Sequence, residues 1–289
     1  MSTTLSSPSE LPVITSVEGW SRTDLLGALA EHGVLLLRDC LPDAAAFAAF
    51  VRRHSSRLSL DPARSLEGGV AQLVDAGTAA VGLHCENGNS PFWPDLTWFF
   101  CEIPASQGSQ TTVCDGEQVL AHLSDGCRRF FEEQPIRYAR RVPADKWKRL
   151  VCHYQPDLSD LSRVRFEHLQ ALVNDDPHTA LSFDPTDESI GYAFTVSAIQ
   201  VSKISRRPAF ANSMLGPSYN YEAPRITRAD GSPIPAELLA EFERISAALT
   251  HEIPWQARDM VMLDNRRVMH GRRAILDTRR RIYNALSYL

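Results

Sequence analysis

The 289-residue sequence predicts a mixed α+β fold, a jelly-roll core decorated with helices. Three observations carry this. Short β-forming runs recur at Val81–Glu86, Leu96–Ile103, Thr111–Cys114, Tyr192–Ser197, Met260–Leu263, Val268–His270 and Arg281–Leu286. Helical patterns gather at the front and middle of the chain. They do not alternate with the strands as a doubly wound parallel sheet requires, and no repeat at solenoid periods is present.

Residues 1–20 read as a flexible N-terminal tail, Ser/Thr-rich at its start, and residues 21–289 as a single domain. From Ser21, Leu25, Leu26, Leu29 and Ala30 recur at helical spacing, Gly33 stops the helix, and Val34–Leu37 follows as a buried strand. Asp43 is placed to cap a second helix with Phe47, Phe50 and Val51 on one face. Residues 55–80 read as loop with short structure. Further helices are expected over Gly116–Gln134, Arg163–Asn174 and Pro235–Glu252, and the Pro/Gly-rich stretch Leu215–Pro235 as a surface loop.

Composition narrows the function. With 44% hydrophobic residues the chain can build a core, which excludes a disordered or collagen-like protein. Thirty Lys+Arg against 35 Asp+Glu give a formal charge of −5, without the basic excess of a nucleic-acid binder. Apolar runs such as Val34–Leu37 fall far short of the about 20 residues that span a bilayer. The opening MSTTLSSPSE has no basic and apolar regions of a secretory signal, so a soluble, cytoplasmic protein is expected. Six cysteines at 40, 85, 101, 114, 127 and 152 form no CxxC pair and read as free, buried thiols.

The Rossmann glycine pattern, the P-loop, the GxSxG elbow and HExxH are all missing. What remains is His84-Cys85-Glu86. Among nine histidines about one such HxE triplet is expected by chance. Its context is more telling. In an extended Val81–Glu86, the apolar Val, Leu and Cys share one face, while His84 and Glu86 share the other about 6.5 Å apart, close enough to converge on one ion. His270, after the turn-forming Asp264-Asn265 pair, offers a third ligand. Two imidazoles and a carboxylate on a β scaffold make the facial triad of non-haem iron(II) oxygenases. Arg279-Arg280-Arg281 is either a solvated patch or a clamp for a dicarboxylate.

In order and spacing, four stretches resemble the TauD/TfdA (taurine dioxygenase-like) iron(II)/2-oxoglutarate-dependent oxygenases of the clavaminate synthase-like superfamily, SyrP-like antibiotic-biosynthesis members in particular. They are Leu25–Arg38; Leu83–Glu86 with Trp93-Pro94, Phe99-Phe100-Cys101 and Ile103-Pro104-Ala105; Gly108–Thr111 with Asp115; and Trp255–Arg272 with Arg280-Arg281-Ile282. The likeness runs over about residues 20–289 and is poor from 135 to 205. It implies a double-stranded β-helix (jelly-roll) fold with Fe(II) on His84, Glu86 and His270. It also implies 2-oxoglutarate as cosubstrate on Arg281 and Thr111, with O2 as oxidant. Departures fall around the site: Ser109 and Gln110 replace a glycine and an acid, Arg258 replaces a glycine, and Ala274-Ile275 replace a Pro-Phe pair. Glu86 argues against halogenation, since halogenating members carry a small residue in its place.

The expected reaction is hydroxylation of an unactivated C–H bond in a small molecule. By resemblance that molecule is an amino acid or an amino-acid-derived intermediate of specialised metabolism, free or tethered to a carrier protein. Desaturation, oxidative cyclisation or epoxidation would use the same site. A non-catalytic jelly-roll binding protein and a zinc hydrolase are the readings from other classes. Asn87 and Asn89, just past the ligand stretch, are either substrate contacts or turn residues, and Asn212 in Phe210-Ala211-Asn212 is a candidate substrate contact. Neither nucleic acid nor membrane is expected as a partner, and homo-oligomerisation is left open.

Overall fold

The computed structural model describes residues 11–59, 66–67, 69–74, 77–174, 176–217 and 222–289. The chain opens with β1 (Val13–Ile14), α1 (Arg22–His32), β2 (Val34–Leu37) and α2 (Ala44–Arg53). Ser21 and Asp24 exchange hydrogen bonds in a capping box at the start of α1, and Gly33, at φ 73°, ends it in the left-handed conformation. Asp43 accepts from the Ala46 amide and caps α2 as expected. The strand β1 pairs in parallel with β2, so the tail expected over residues 1–20 is anchored by Val13–Ile14, while residues 1–10 lie outside the described residues.

The short strands β3 (Arg57–Ser59), β4 (Leu66–Glu67) and β5 (Ala71–Leu73) occupy the mixed segment after α2, part of which lies outside the described residues. The jelly roll proper then begins with β6 (Val81–His84), β7 (Leu96–Ile103) and β8 (Thr111–Asp115). The expected helix over Gly116–Gln134 is two, α3 (Gly116–His122) and α4 (Asp125–Glu133), because Ser124 caps a fresh helix by accepting from the Cys127 amide. An insertion follows, with β9 (Ile136–Val142), α5 (Ala144–Tyr154), α6 (Phe166–Val173), β10 (Thr179–Phe183) and β11 (Ile190–Val196). After it come β12 (Ile199–Val201), β13 (Pro208–Phe210), β14 (Arg225–Arg228), α7 (Ala236–Leu249), β15 (His251–Glu252), β16 (Met260–Asp264), β17 (Val268–Arg272) and β18 (Arg281–Tyr288). The loop expected over Leu215–Pro235 thus contains a strand, β14, which joins the insertion sheet along β9.

Two sheets form the core. The larger runs β1-β2-β16-β7-β18-β5-β4, with β3 also on β18, and the smaller runs β15-β8-β17-β6. Side chains alternate across the larger sheet. Trp98, Phe100, Met260, Met262, Tyr283 and Ala285 pack with α1 and α2 on its outer face. Phe99, Cys101, Val261, Leu263 and Ile282 meet Val113 and Val268 of the smaller sheet between the layers. This parity decides which side chains can reach the interior. A third, insertion sheet, β10-β11-β9-β14, packs with α5 and α6 beside the jelly roll. Among the described residues no helix is long and apolar enough to cross a membrane.

Two features hold the chain tightly around β6. A Cβ on Gly82 would lie 2.0 Å from the Leu215 carbonyl oxygen, and one on Gly216 2.2 Å from the Gly82 oxygen. Only glycine at both positions lets the chain at Leu215-Gly216 cross directly over the strand. The departures Ser109 and Arg258 both sit at left-handed φ, 66° and 72°, where glycine is the unstrained residue.

Candidate active site

His270 lies in the middle of β17, directly opposite His84 on β6 and Val113 on β8. A bulge then shifts the pairing so that Arg272 faces Val81. The extra residue turns Val81 to the same side as His84, while Leu83 and Cys85 pack into a separate apolar core. The strand stops at His84, so the expected alternation does not extend to Glu86, which sits in the following turn.

A buried side chain holds Glu86 in that turn. Asn265 accepts from the Glu86 amide at 2.8 Å and donates to the Glu86 carbonyl at 3.0 Å and the Pro94 carbonyl at 2.9 Å. Asn87, next along, takes φ 54°, a conformation asparagine tolerates better than most residues. The Asp264–Arg267 stretch, read from sequence as little more than a turn, is a set of braces. Asp264 accepts from the Ser202 hydroxyl, Arg266 pairs with Asp95, and Arg267 pairs with Asp115 at 2.6 Å. The signal for this was in the residue types, since four consecutive polar side chains beside a buried strand need partners.

The result is a convergent trio. The ligating atoms of His84, Glu86 and His270 lie within 4.8 Å of one another. Glu86 Oε1 is 3.3 Å from His270 Nε2 and 3.9 Å from His84 Nε2, and the two imidazole rings are 4.4 Å apart. His84 Nδ1 lies 2.9 Å from the Gly82 carbonyl oxygen. A carbonyl only accepts, so Nδ1 carries the proton and Nε2 presents its lone pair to the centre. Burial, reinforced by His270, lowers the His84 pKa to about 4, which keeps that ring neutral. Two imidazoles and a carboxylate meeting at one point fit a divalent transition metal. Cys85, between two of them in sequence, packs into the apolar core, and burial raises its thiol pKa well above the usual range.

The trio lines a cavity of about 320 Å3. Its other residues settle where the sequence-predicted contacts lie. Thr111 lines it, opposite Arg272 across the β8–β17 ladder, and its hydroxyl accepts from Trp255 Nε1 at 3.0 Å. Asn87 and Asn89 line it too, Asn89 buried and donating to the Pro217 carbonyl. Asn212 does not. Its carbonyl accepts from the Cys85 amide, and its side chain accepts from the Met214 amide. Asn212 shapes the segment over β6 without facing the cavity.

Arg281, expected at the cosubstrate, is not among the residues that line the cavity. It shares the outer face of the larger sheet with Tyr283, to whose hydroxyl it donates at 2.8 Å, and pairs with Glu102 at 2.8 Å. Its side chain is half exposed. One residue earlier the parity reverses. Arg280 is buried, lines the cavity with Ile282 and Asn284, and donates to the Val74 carbonyl at 2.8 Å.

Loss of the Asn265 side chain leaves two carbonyls and one amide without their partners. Asn265→Ala is therefore expected to lower the melting temperature and to weaken metal binding about 10- to 100-fold, the usual cost of removing a group that orients a ligand. Calorimetric titration of Mn(II) into the variant measures it. Unchanged affinity would mean that Glu86 holds its place without this brace.

The model of the taurine catabolism dioxygenase TauD, TfdA family matches residues 9–286. A clavaminate synthase-like protein of Arabidopsis thaliana is 25% identical over 228 residues, 71% of this chain and 64% of that protein, so the match spans under two thirds of the relative's length. The crystal structure of PvcB from Pseudomonas aeruginosa is similar at a TM-score of 0.59 and 16% identity, over 95% of this chain and 82% of that one. AAD-2, solved with Mn(II) and N-oxalylglycine, is similar at a TM-score of 0.57 and 15% identity, over 92% of this chain and 86% of that one. Those two structures share the fold. With almost its whole length matched, the chain belongs to the TauD, TfdA family.

Proposed function

We propose that this chain hydroxylates an unactivated C–H bond of a small molecule, an amino acid or a compound derived from one, with iron(II) on His84, Glu86 and His270. One observation carries the reading. The three ligand atoms converge in the same cavity that buries Arg280 and Thr111. Iron(II) bound there with 2-oxoglutarate and O2 supplies the oxidising power that breaks such a bond. The chain's own residues do the placing. Arg280 offers a planar fork for the far carboxylate of 2-oxoglutarate, and Thr111, its oxygen engaged by Trp255, has its proton to donate to the same group. The apolar walls keep water from the reacting centre.

The amino-acid-derived substrate is supported by the resemblance to antibiotic-biosynthesis members and by PvcB, an Fe, alpha-ketoglutarate dependent oxygenase from an isonitrile synthetic pathway. A carrier-tethered form of the substrate belongs to the same reading. Desaturation or ring closure at this site would differ in product mass, a loss of two hydrogens instead of a gain of one oxygen. The test is a screen of candidate small molecules for stimulated succinate formation. Stimulation by a member of the set, lost in His270→Ala, is expected. Stimulation that persists in that variant would overturn the ligand assignment.

A further inference from the structure

The cavity has a second positively charged end, away from the buried Arg280. Its far wall comes from the insertion. Trp147 and Leu150 of α5, Leu169 of α6 and Ile190 of β11 give it an apolar surface. Into this surface the insertion sets two cations. Arg140 lies on the same face of β9 as Val142 and opposite Tyr192 in the β9–β11 register, with its guanidinium carbon 5.6 Å from the Tyr192 ring centre. Lys146 stands in the first turn of α5, four residues before Leu150, so that both project from one face of the helix into the cavity.

The position of this pair is tied to the metal site. The Tyr192 hydroxyl donates to the Asn89 carbonyl at 3.1 Å, linking the Arg140 wall to the turn that follows Glu86. Among the described lining residues Glu86 is the sole carboxylate, and its oxygen points at the two histidines. A ligand reaching across the apolar wall therefore meets two lining cations at its end, with the Asp176 carboxylate acting on Tyr192 from outside the lining. An ammonium placed there is repelled by two cations in a partly buried site, whereas an anion is attracted by both. A guanidinium against an aromatic ring is also the geometry suited to a planar carboxylate held side-on.

We propose that Arg140 and Lys146 form a substrate subsite for a carboxylate, and that the substrate is an acid with an apolar body and no free ammonium near that acid. An amino acid whose nitrogen is acylated has this character, and a zwitterion or a neutral amide does not. The proposal rests on the oxygenase reading above for what is done to the ligand, but the charge preference itself belongs to the wall and needs no metal.

The experiment uses the full-length protein saturated with Mn(II) and 2-oxoglutarate, so that Arg280 is already occupied. Calorimetry compares N-acetyl-L-phenylalanine, N-acetyl-L-phenylalaninamide and L-phenylalaninamide, with octanoate and octanamide as the aliphatic pair. At least one acid is expected to bind about tenfold or more tightly than its amide, and the cationic L-phenylalaninamide to bind most weakly. In Arg140→Gln/Lys146→Gln that preference is expected to vanish, while affinity for 2-oxoglutarate stays unchanged. The same acid-over-amide ratio, read in metal-free protein and lost in the same variant, separates this claim from the oxygenase reading. Failure of wild-type protein to bind 2-oxoglutarate would sink that reading alone. Amides binding as tightly as acids, no acid binding, or a preference that survives in the double variant would each overturn the subsite.

Discussion

His270→Ala is expected to give a folded protein that no longer holds iron(II) and forms no succinate above background. His270 is buried at the centre of β17, and its ring packs edge-on against Phe99 at 5.2 Å. Removing it opens a small cavity, a cost of about 1–3 kcal/mol that a jelly roll with this much buried apolar surface tolerates. The functional loss is of another order. Two remaining ligands leave Glu86 with half its partners, and metal affinity should fall well beyond the about 10–100-fold expected when only an orienting group is lost. Circular dichroism and Mn(II) titration separate the two effects. A cooperative melting curve with a modestly lowered midpoint and no measurable metal binding is the expected pair. Retained binding would mean that the metal is held elsewhere.

Arg280→Gln and Arg281→Gln are expected to differ sharply although the residues are neighbours. Truncating the buried partner of a charged pair costs about 2–4 kcal/mol, so the KM for 2-oxoglutarate should rise about 30- to 700-fold in Arg280→Gln. Arg281→Gln loses an ion pair with Glu102 on a half-exposed face, worth at most about 1 kcal/mol of stability, and its KM should stay within about threefold of wild type. The comparison is read from initial rates over a range of 2-oxoglutarate. The opposite outcome, a raised KM in Arg281→Gln alone, would restore the assignment that spacing along the sequence favours.

That reversal shows where the sequence stops being legible. Patterns tied to the chain's local periodicity survive folding well. Ser21 and Gly33 bracket the first helix, the strand over Leu96–Ile103 has the expected bounds, and His84 and His270 meet as the motif order implies. What depends on register does not. The Arg280–Arg281 choice turns on one residue of strand parity, and β6 stops at His84, short of the Glu86 that simple alternation placed on the strand. Glu86 is positioned instead by Asn265, 179 residues away, which no local pattern reveals.

The missed strand Ile136–Val142 has a related cause. Ile136 and Tyr138 alternate as an inward face should, but Arg140 and Arg141 interrupt the pattern. Arg140 is there because its face of β9 has moved from the apolar core to the cavity wall. A residue that breaks the rule of its own element marks a place where the fold serves the site.

The most direct test of the central claim is a crystal structure of the protein grown with Mn(II) and N-oxalylglycine, with the metal located by its anomalous signal. The account predicts one manganese within bonding distance of His84 Nε2, a Glu86 carboxylate oxygen and His270 Nε2, and the far carboxylate of N-oxalylglycine on Arg280 and Thr111. A manganese bound away from these three side chains, or an inhibitor carboxylate on Arg281, would contradict it.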